Sequence, residues 1–276
     1  MRRRSAWRER LVEMGENIFA EGVLAGRVAL VTGGGTGITG GVARALAEAG
    51  GRVVLVSRSM EHLEPAAAAI NENGGEALAF AADVRDFAQV ERAVAASVER
   101  FGKLDTVVNG AAGNFLCAAE ELSPNGFGTV VDIDLKGTFN VCRAAVAELK
   151  KEGGSILNIS ATLHYGGTPM QLHVSAAKAG VDALTRNLAV EWGRYGIRTN
   201  AIAPGPIEDT EGMRRLVPEP VRERIRRRVP LGRFGRIRDI EQCAVFLCSD
   251  AARYINGAVI AVDGGHWLSN SMISDK

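Results

Sequence analysis

The sequence predicts an α/β fold, a single doubly wound parallel sheet flanked by helices. Three observations carry this. Short apolar runs alternate with stretches long enough for helices, the pattern of parallel strands joined by crossover helices. A glycine-rich turn, Thr32-Gly33-Gly34-Gly35-Thr36-Gly37, stands between the first apolar run and the first helical stretch. The 276 residues, 46% hydrophobic and 24% charged, suit one large domain with a well-covered core and exclude global disorder.

The elements follow in order. Residues 1–24 are an N-terminal extension, and residues 25–276 are expected to form the domain. In the extension, Arg8 to Phe19 has amphipathic helical spacing, with Leu11, Met14, Ile18 and Phe19 on one side. The strand candidates are Val28–Val31, Val53–Val56, Ala77–Ala81, Thr106–Asn109, Ser155–Ile159, Arg198–Ile202 and Val259–Val262. Right-handed crossovers between them place helices on both faces. The glycine turn leads into a helix read as Val42–Ala49. From Pro204 to about Pro230 the chain is dense in Pro, Gly and Arg, and reads as a substrate-loop insertion over a site.

Composition narrows the partners. A net charge of +1 gives no electrostatic reason to expect nucleic acid. The four cysteines, Cys117, Cys142, Cys243 and Cys248, have no CxxC spacing and read as reduced thiols. No apolar run approaches the roughly 20 residues that span a bilayer. Met1-Arg2-Arg3-Arg4 is basic, but no hydrophobic segment follows it, so a secretory signal is not expected. Glu9, Glu13 and Glu16 argue against an organelle transit peptide, and Ile273-Ser274-Asp275-Lys276 is not a peroxisomal address. The expectation is a cytoplasmic protein with no metal site.

The turn Gly33, Gly35, Thr36, Gly37, Ile38 has the chemistry of a dinucleotide cradle. Glycines let the backbone turn tightly and approach a pyrophosphate, whose charge sits on the helix N-terminus. At the end of the second strand an NAD enzyme would carry an acid for the ribose hydroxyls. Here Ser57 and Arg58 stand there, and a guanidinium suits a 2′-phosphate, so NADPH is the expected cofactor. Asp83-Val84, Asn109-Gly110-Ala111-Ala112-Gly113, Lys178 and Pro204-Gly205-Pro206-Ile207 follow in order. With these motifs the chain resembles the short-chain dehydrogenase/reductases from about Gly26 to Gly265. That resemblance implies a Rossmann-type fold, an adenine contact at Asp83 and Val84, cofactor contacts at Asn109 and Ala111, and nicotinamide support from Pro204, Gly205 and Ile207. One motif departs: Thr39 stands where the last glycine of the family's turn belongs.

The stretch His173-Val174-Ser175-Ala176-Ala177-Lys178 holds a second departure. In that family a tyrosine four residues before the lysine gives a proton to a carbonyl, and a serine assists it. Here those positions are Val174 and Ala161, and an alkyl side chain donates nothing. Ala111-Ala112-Gly113-Asn114-Phe115-Leu116, Leu122-Ser123-Pro124-Asn125 and Asp132-Ile133-Asp134 resemble the 2,4-dienoyl-CoA reductases, the peroxisomal-type branch in particular, which also lacks the tyrosine. The resemblance implies that Lys178 holds the nicotinamide ribose, Asn114 donates to a thioester oxygen, and Asp134 passes a proton through water. A structural bridge orienting Lys178 is the other reading of Asp134. Arg85, Phe115, Ser123, Pro124, Asn125 and Arg215 match acyl-CoA contacts, and such chains form homotetramers. His164 and Tyr165 read as structural, His173 as a satisfied polar residue, and Ser175 as a supporting one. Arg222, Arg224, Arg226, Arg227 and Arg228 read as a solvated helix face. The expected activity is NADPH-dependent reduction of 2,4-dienoyl-CoA to 3-enoyl-CoA in unsaturated fatty-acid β-oxidation. The alternatives are another enoyl-thioester or carbonyl reductase, and a non-catalytic NADP-binding sensor or scaffold.

Overall fold

The computed structural model describes residues 18–269. Seven strands pair in parallel: β1 (Val28–Thr32), β2 (Arg52–Ser57), β3 (Glu76–Ala81), β4 (Thr106–Asn109), β5 (Gly154–Ile159), β6 (Ile197–Pro204) and β7 (Val259–Val262). Their order is β3-β2-β1-β4-β5-β6-β7. The central strands read as near-continuous apolar runs because both faces are covered; β1 and β4 are buried along their whole length. All seven strand expectations hold: Thr106–Asn109 and Val259–Val262 are unchanged, and the other five shift at one or both ends by one or two residues.

The helices are α1 (Gly37–Glu48), α2 (Met60–Glu72), α3 (Phe87–Phe101), α4 (Pro124–Val131), α5 (Gly137–Glu152), α6 (Leu172–Trp192), α7 (Glu211–Leu216), α8 (Glu219–Arg228) and α9 (Ile237–Cys248). One core packs α1, α2 and α9 against the sheet through Val42, Leu46, Leu63, Ile240 and Val245. The other packs α3 and α5 through Val90, Val94, Val141, Cys142 and Leu149, with Leu188 of α6. The chain order reverses direction between β1 and β4, so the loops after those strands part and leave a crevice at their carboxyl ends.

Three expectations need correction. The first helix starts at Gly37, not Val42, because the glycine turn closes quickly enough for Gly40 and Gly41 to join it. The stretch after Pro204 is not irregular: Thr210 caps α7 by accepting from Met213 N–H, and Pro218 precedes α8. Of the N-terminal helix expected over 8–19, residues 8–17 lie outside the described residues. Ile18 and Phe19 are not helical, and Phe19 packs against the first core. Among the described residues no helix is long and apolar enough to cross a membrane.

Candidate active site

The cofactor cradle is built at the switch between β1 and β4. Gly33 and Gly37 take φ of 70° and 60°, which favours glycine. A Cβ on Gly33 would stand 2.9 Å from Gly110 O, so the two loops touch backbone to backbone. A Cβ on Gly37 would meet nothing within 4 Å, so open space lies over the first turn of α1. Thr36 precedes that turn without a side-chain cap, leaving the helix's first N–H groups for an outside acceptor. Uncapped donors under open space fit a dinucleotide's pyrophosphate. Thr32 Oγ accepts from both Gly110 N–H and Ala111 N–H and joins the two loops. Thr39 does not spoil the turn. Its hydroxyl donates to Gly33 O at 2.7 Å, and its methyl fills the space beside Gly110.

Further out, Ser57 donates to Ser59 O. Arg58 is exposed and has no ion-pair partner among the described residues. Asp83 and Arg85 are paired with each other through several contacts, the shortest 2.6 Å. The bond from Arg85 holds the Asp83 carboxyl below its ordinary range, with a smaller contribution from Arg58. Asn109 Nδ2 donates to Asn158 Oδ1, and Asn158 Nδ2 to Thr185 Oγ, a buried polar row linking β4, β5 and α6. Gly205 has no room for a Cβ, because Asp263 packs against it. Ile207 is buried and pairs with Gly235.

At the reacting end α6 presents Lys178 from within the fold. Lys178 Nζ donates to Ile159 O at 2.9 Å and pairs with Asp134 Oδ2 at 3.1 Å. Asp134 is wholly buried, and its Oδ1 accepts from Gly113 N–H at 2.7 Å. It is carried by a π-helical segment, Asp132–Lys136, between α4 and α5. The wider turn is a frequent device at functional sites. Asn114 follows Gly113, and its side-chain oxygen is buried without a partner. Val174 fills the tyrosine position and packs with Val130 and Ala177, beside Phe115 and Leu163.

A family model described as Enoyl-(Acyl carrier protein) reductase matches residues 33–266. The chain belongs to the short-chain dehydrogenase/reductase family. Within the family it is 49% identical, over 91% of its length and 88% of the relative's, to the peroxisomal 2,4-dienoyl-CoA reductase [(3E)-enoyl-CoA-producing] of Arabidopsis thaliana. It is 50% identical to the protein of the same description from Saccharomyces cerevisiae, over 88% and 84%. Among solved structures it is similar to a gluconate 5-dehydrogenase from Burkholderia cenocepacia in complex with NADP and tartrate. That match has a TM-score of 0.83 and 32% identity, over 88% of this chain and 95% of that one. The chain is thus an oxidoreductase of this family that binds a nicotinamide cofactor.

Other expected residues fall in different surroundings. Ser123 caps α4 by accepting from Gly126 N–H, with Pro124 at the first helical position and Asn125 after it; all three are exposed. Arg215 is exposed and pairs with Glu211. The arginines of α8 form a solvated face, as expected: Arg222 pairs with Glu219, and Arg226 and Arg227 with Glu223. A cavity of about 420 Å³ opens beside α7 and α8, lined by Glu208, Asp209, Met213, Arg214, Arg222 and Phe234 among others, away from Lys178. One reading is overturned. His173 is not a satisfied polar residue: it is fully buried, neither ring nitrogen has a partner, and its ring stacks on Phe115 at 4.3 Å. Ser175 Oγ is likewise buried and unpartnered. Sequence reasoning missed Asp182, which binds Ser160 and His164. Its place four residues after Lys178, on the same helix face, was the available signal.

Proposed function

We propose that this chain is an NADPH-dependent 2,4-dienoyl-CoA reductase, forming 3-enoyl-CoA in unsaturated fatty-acid β-oxidation. The observation that carries the reading is the buried Lys178–Asp134 pair beside an alkyl Val174. Ketone reduction places charge on an oxygen beside the hydride acceptor, and a tyrosine there is then needed. A 2,4-dienoyl thioester takes hydride at its far alkene carbon, and charge runs through the diene to the thioester oxygen. Such a substrate needs fixed donors at that oxygen and a proton at a carbon.

The chain's own groups meet those needs. Asn114, on the loop that follows Gly113, would donate its side-chain NH₂ to the thioester oxygen. Lys178 Nζ donates to Ile159 O and stands 3.1 Å from Asp134 Oδ2 as an ion pair, with ammonium protons left for a ribose hydroxyl. Asp134 is joined to Asn114's loop through Gly113 N–H, so positions of the proton-handling carboxyl and the oxygen donor are linked. From there the Asp134 carboxylate would relay a proton from water to the dienolate. Bound nicotinamide supplies the hydride. Arg58 favours the 2′-phosphate of NADPH, because Asp83, the carboxylate whose charge it feels, is already paired with Arg85. Arg85, Phe115, Ser123, Pro124, Asn125 and Arg215 contact the acyl-CoA.

A cytoplasmic homotetramer completes the reading. Four free thiols suit a reducing compartment, and burial pushes Cys142 and Cys248 up to about 12. Cofactor absorbance decay with 2,4-hexadienoyl-CoA, beside acetoacetyl-CoA and crotonyl-CoA, tests the activity. Reduction confined to the dienoyl thioester is expected, and reduction of acetoacetyl-CoA instead would refute it. NADPH should be preferred to NADH by at least about tenfold, since a guanidinium–phosphate pair contributes roughly 1.5–3 kcal/mol. Arg58→Asp should lower or reverse that preference.

A further inference from the structure

Asp182 is buried one helical turn beyond Lys178 and takes no part in the chemistry above. Ser160 Oγ donates to one of its oxygens, and His164 Nε2 meets the other at 2.8 Å. His164 lies edge-on to Tyr165, with ring centroids 4.7 Å apart, and Tyr165 lies edge-on to Trp267 at 5.1 Å. Trp267 is held from its other side. The Asp263 carboxylate accepts from Gly265 N–H and Trp267 N–H, and Ser269 Oγ donates to Arg228 O at the end of α8. Leu231 N–H donates to Gly264 O, so Leu231 borders the same segment. The row begins at a buried carboxylate and ends in apolar side chains at the surface: Leu231 is 44% exposed, Trp267 40% and Leu268 66%.

Strand order gives this row a direction. Asn114 follows β4, Tyr165 follows β5, Gly205 follows β6 and Trp267 follows β7, so they stand in that sequence along the carboxyl edge of the sheet. A thioester oxygen at Asn114 and a reacting carbon beside Lys178 leave the far end of the acyl chain directed toward β7. We propose that Tyr165, Leu231, Trp267 and Leu268 seat the acyl tail beyond the diene, and that the enzyme therefore favours medium and long acyl groups. This rests on the substrate reading given above. The occupant is an alkyl chain because the surface is aromatic and aliphatic, and the carboxylates along the row, Asp182 and Asp263, are already hydrogen-bonded. The His164–Asp182 pair is then a positioning element that holds the aromatic wall.

Two measurements on the full chain test this: kinetics with 2,4-hexadienoyl-CoA against 2,4-decadienoyl-CoA, and calorimetric binding of hexanoyl-CoA against decanoyl-CoA. A buried methylene is worth about fourfold in affinity. The longer chain, partly covered, should therefore have KM and Kd lower by about tenfold or more. Trp267→Ala should shrink that ratio to about threefold or less, and Leu268→Ser, at an exposed position, should act in the same direction without disturbing the fold. His164→Ala should shrink it too, while His164→Gln, still able to bond Asp182, should keep most of it. The proposal is overturned if the native chain shows no chain-length preference or the variants keep it intact. It is also overturned if Leu268→Ser only reduces the particle size in sedimentation, which would make this surface a contact between copies. Loss of dienoyl reduction with a Trp267-dependent preference for decanoyl-CoA would instead strike the reaction assigned above and leave the seat standing.

Discussion

Thr39 is tolerated because position 110 is a glycine. A Cβ on Gly110 would fall 1.9 Å from Thr39 Cγ2, while Thr32 pins the same loop from beneath. Gly110→Ala should therefore cost about 1–3 kcal/mol of stability, the usual range for overpacking, and should weaken NADPH binding. Thr39→Gly in the same chain should recover most of that loss, because it reopens the space. Thermal melts and cofactor titration of the two single variants and the double variant measure the coupling, and simple additivity would refute it. The departure at Thr39 was legible in the sequence; its compensation was not, because the partner lies 71 positions away. Asp134 poses the sharper chemical question. Asp134→Ala should slow turnover by about 10²–10⁴-fold, the usual worth of general acid catalysis. Asp134→Asn can still accept from Gly113 N–H but cannot carry a proton at neutral pH. Near-normal turnover in Asp134→Asn, with NADPH binding kept, would make the carboxyl a bridge for Lys178. The resemblance singled out Asp134, Lys178 and Asn114, and the fold brings the first two within 3.1 Å. His173 went astray because sequence cannot show whether a buried ring finds a partner.

At the scale of elements, the strands were readable because a sheet covered on both faces needs uninterrupted apolar runs. Helix starts were less so. α1 begins with Gly37, Gly40 and Gly41, residues of poor intrinsic helix propensity, and forms because tertiary packing on Glu241 and Ile237 overrides it. The π-helical segment Asp132–Lys136 had no sequence signal at all, yet it is what aims Asp134 inward. The Pro204–Pro230 stretch is helical where its Pro, Gly and Arg content predicted irregular chain, because Thr210 caps α7 and Pro218 precedes α8. Two arginines are expected on the acyl-CoA surface. Arg85 stands between β3 and α3 and Arg215 in α7, each engaged by one carboxylate partner, Asp83 or Glu211. Exchange of the exposed Arg215–Glu211 pair for a CoA phosphate costs little. Arg85→Ala and Arg215→Ala should raise KM for the CoA thioester, by an amount that shrinks with added salt. Unaltered KM in both variants would remove the two arginines from the substrate surface.

Across the whole molecule, two cores lie on either side of one sheet, and the helices outside them leave apolar residues facing water. Phe139 of α5 is 48% exposed and Val190 of α6 82% exposed. A homotetramer would cover them. Sedimentation should give roughly four times the chain mass of 29.3 kDa, and Phe139→Asp or Val190→Asp should yield smaller particles. A native monomer would end that expectation. The placement of Asp263 through Ser269 has one more consequence, for biosynthesis. These residues follow the last strand, yet they buttress Gly205, Tyr165 and the end of α8, elements made some 40 to 100 residues earlier. A nascent chain therefore leaves Gly205, Tyr165 and the end of α8 without their buttress until that final segment clears the ribosome, and translation stalled before it leaves the β6 edge unfinished.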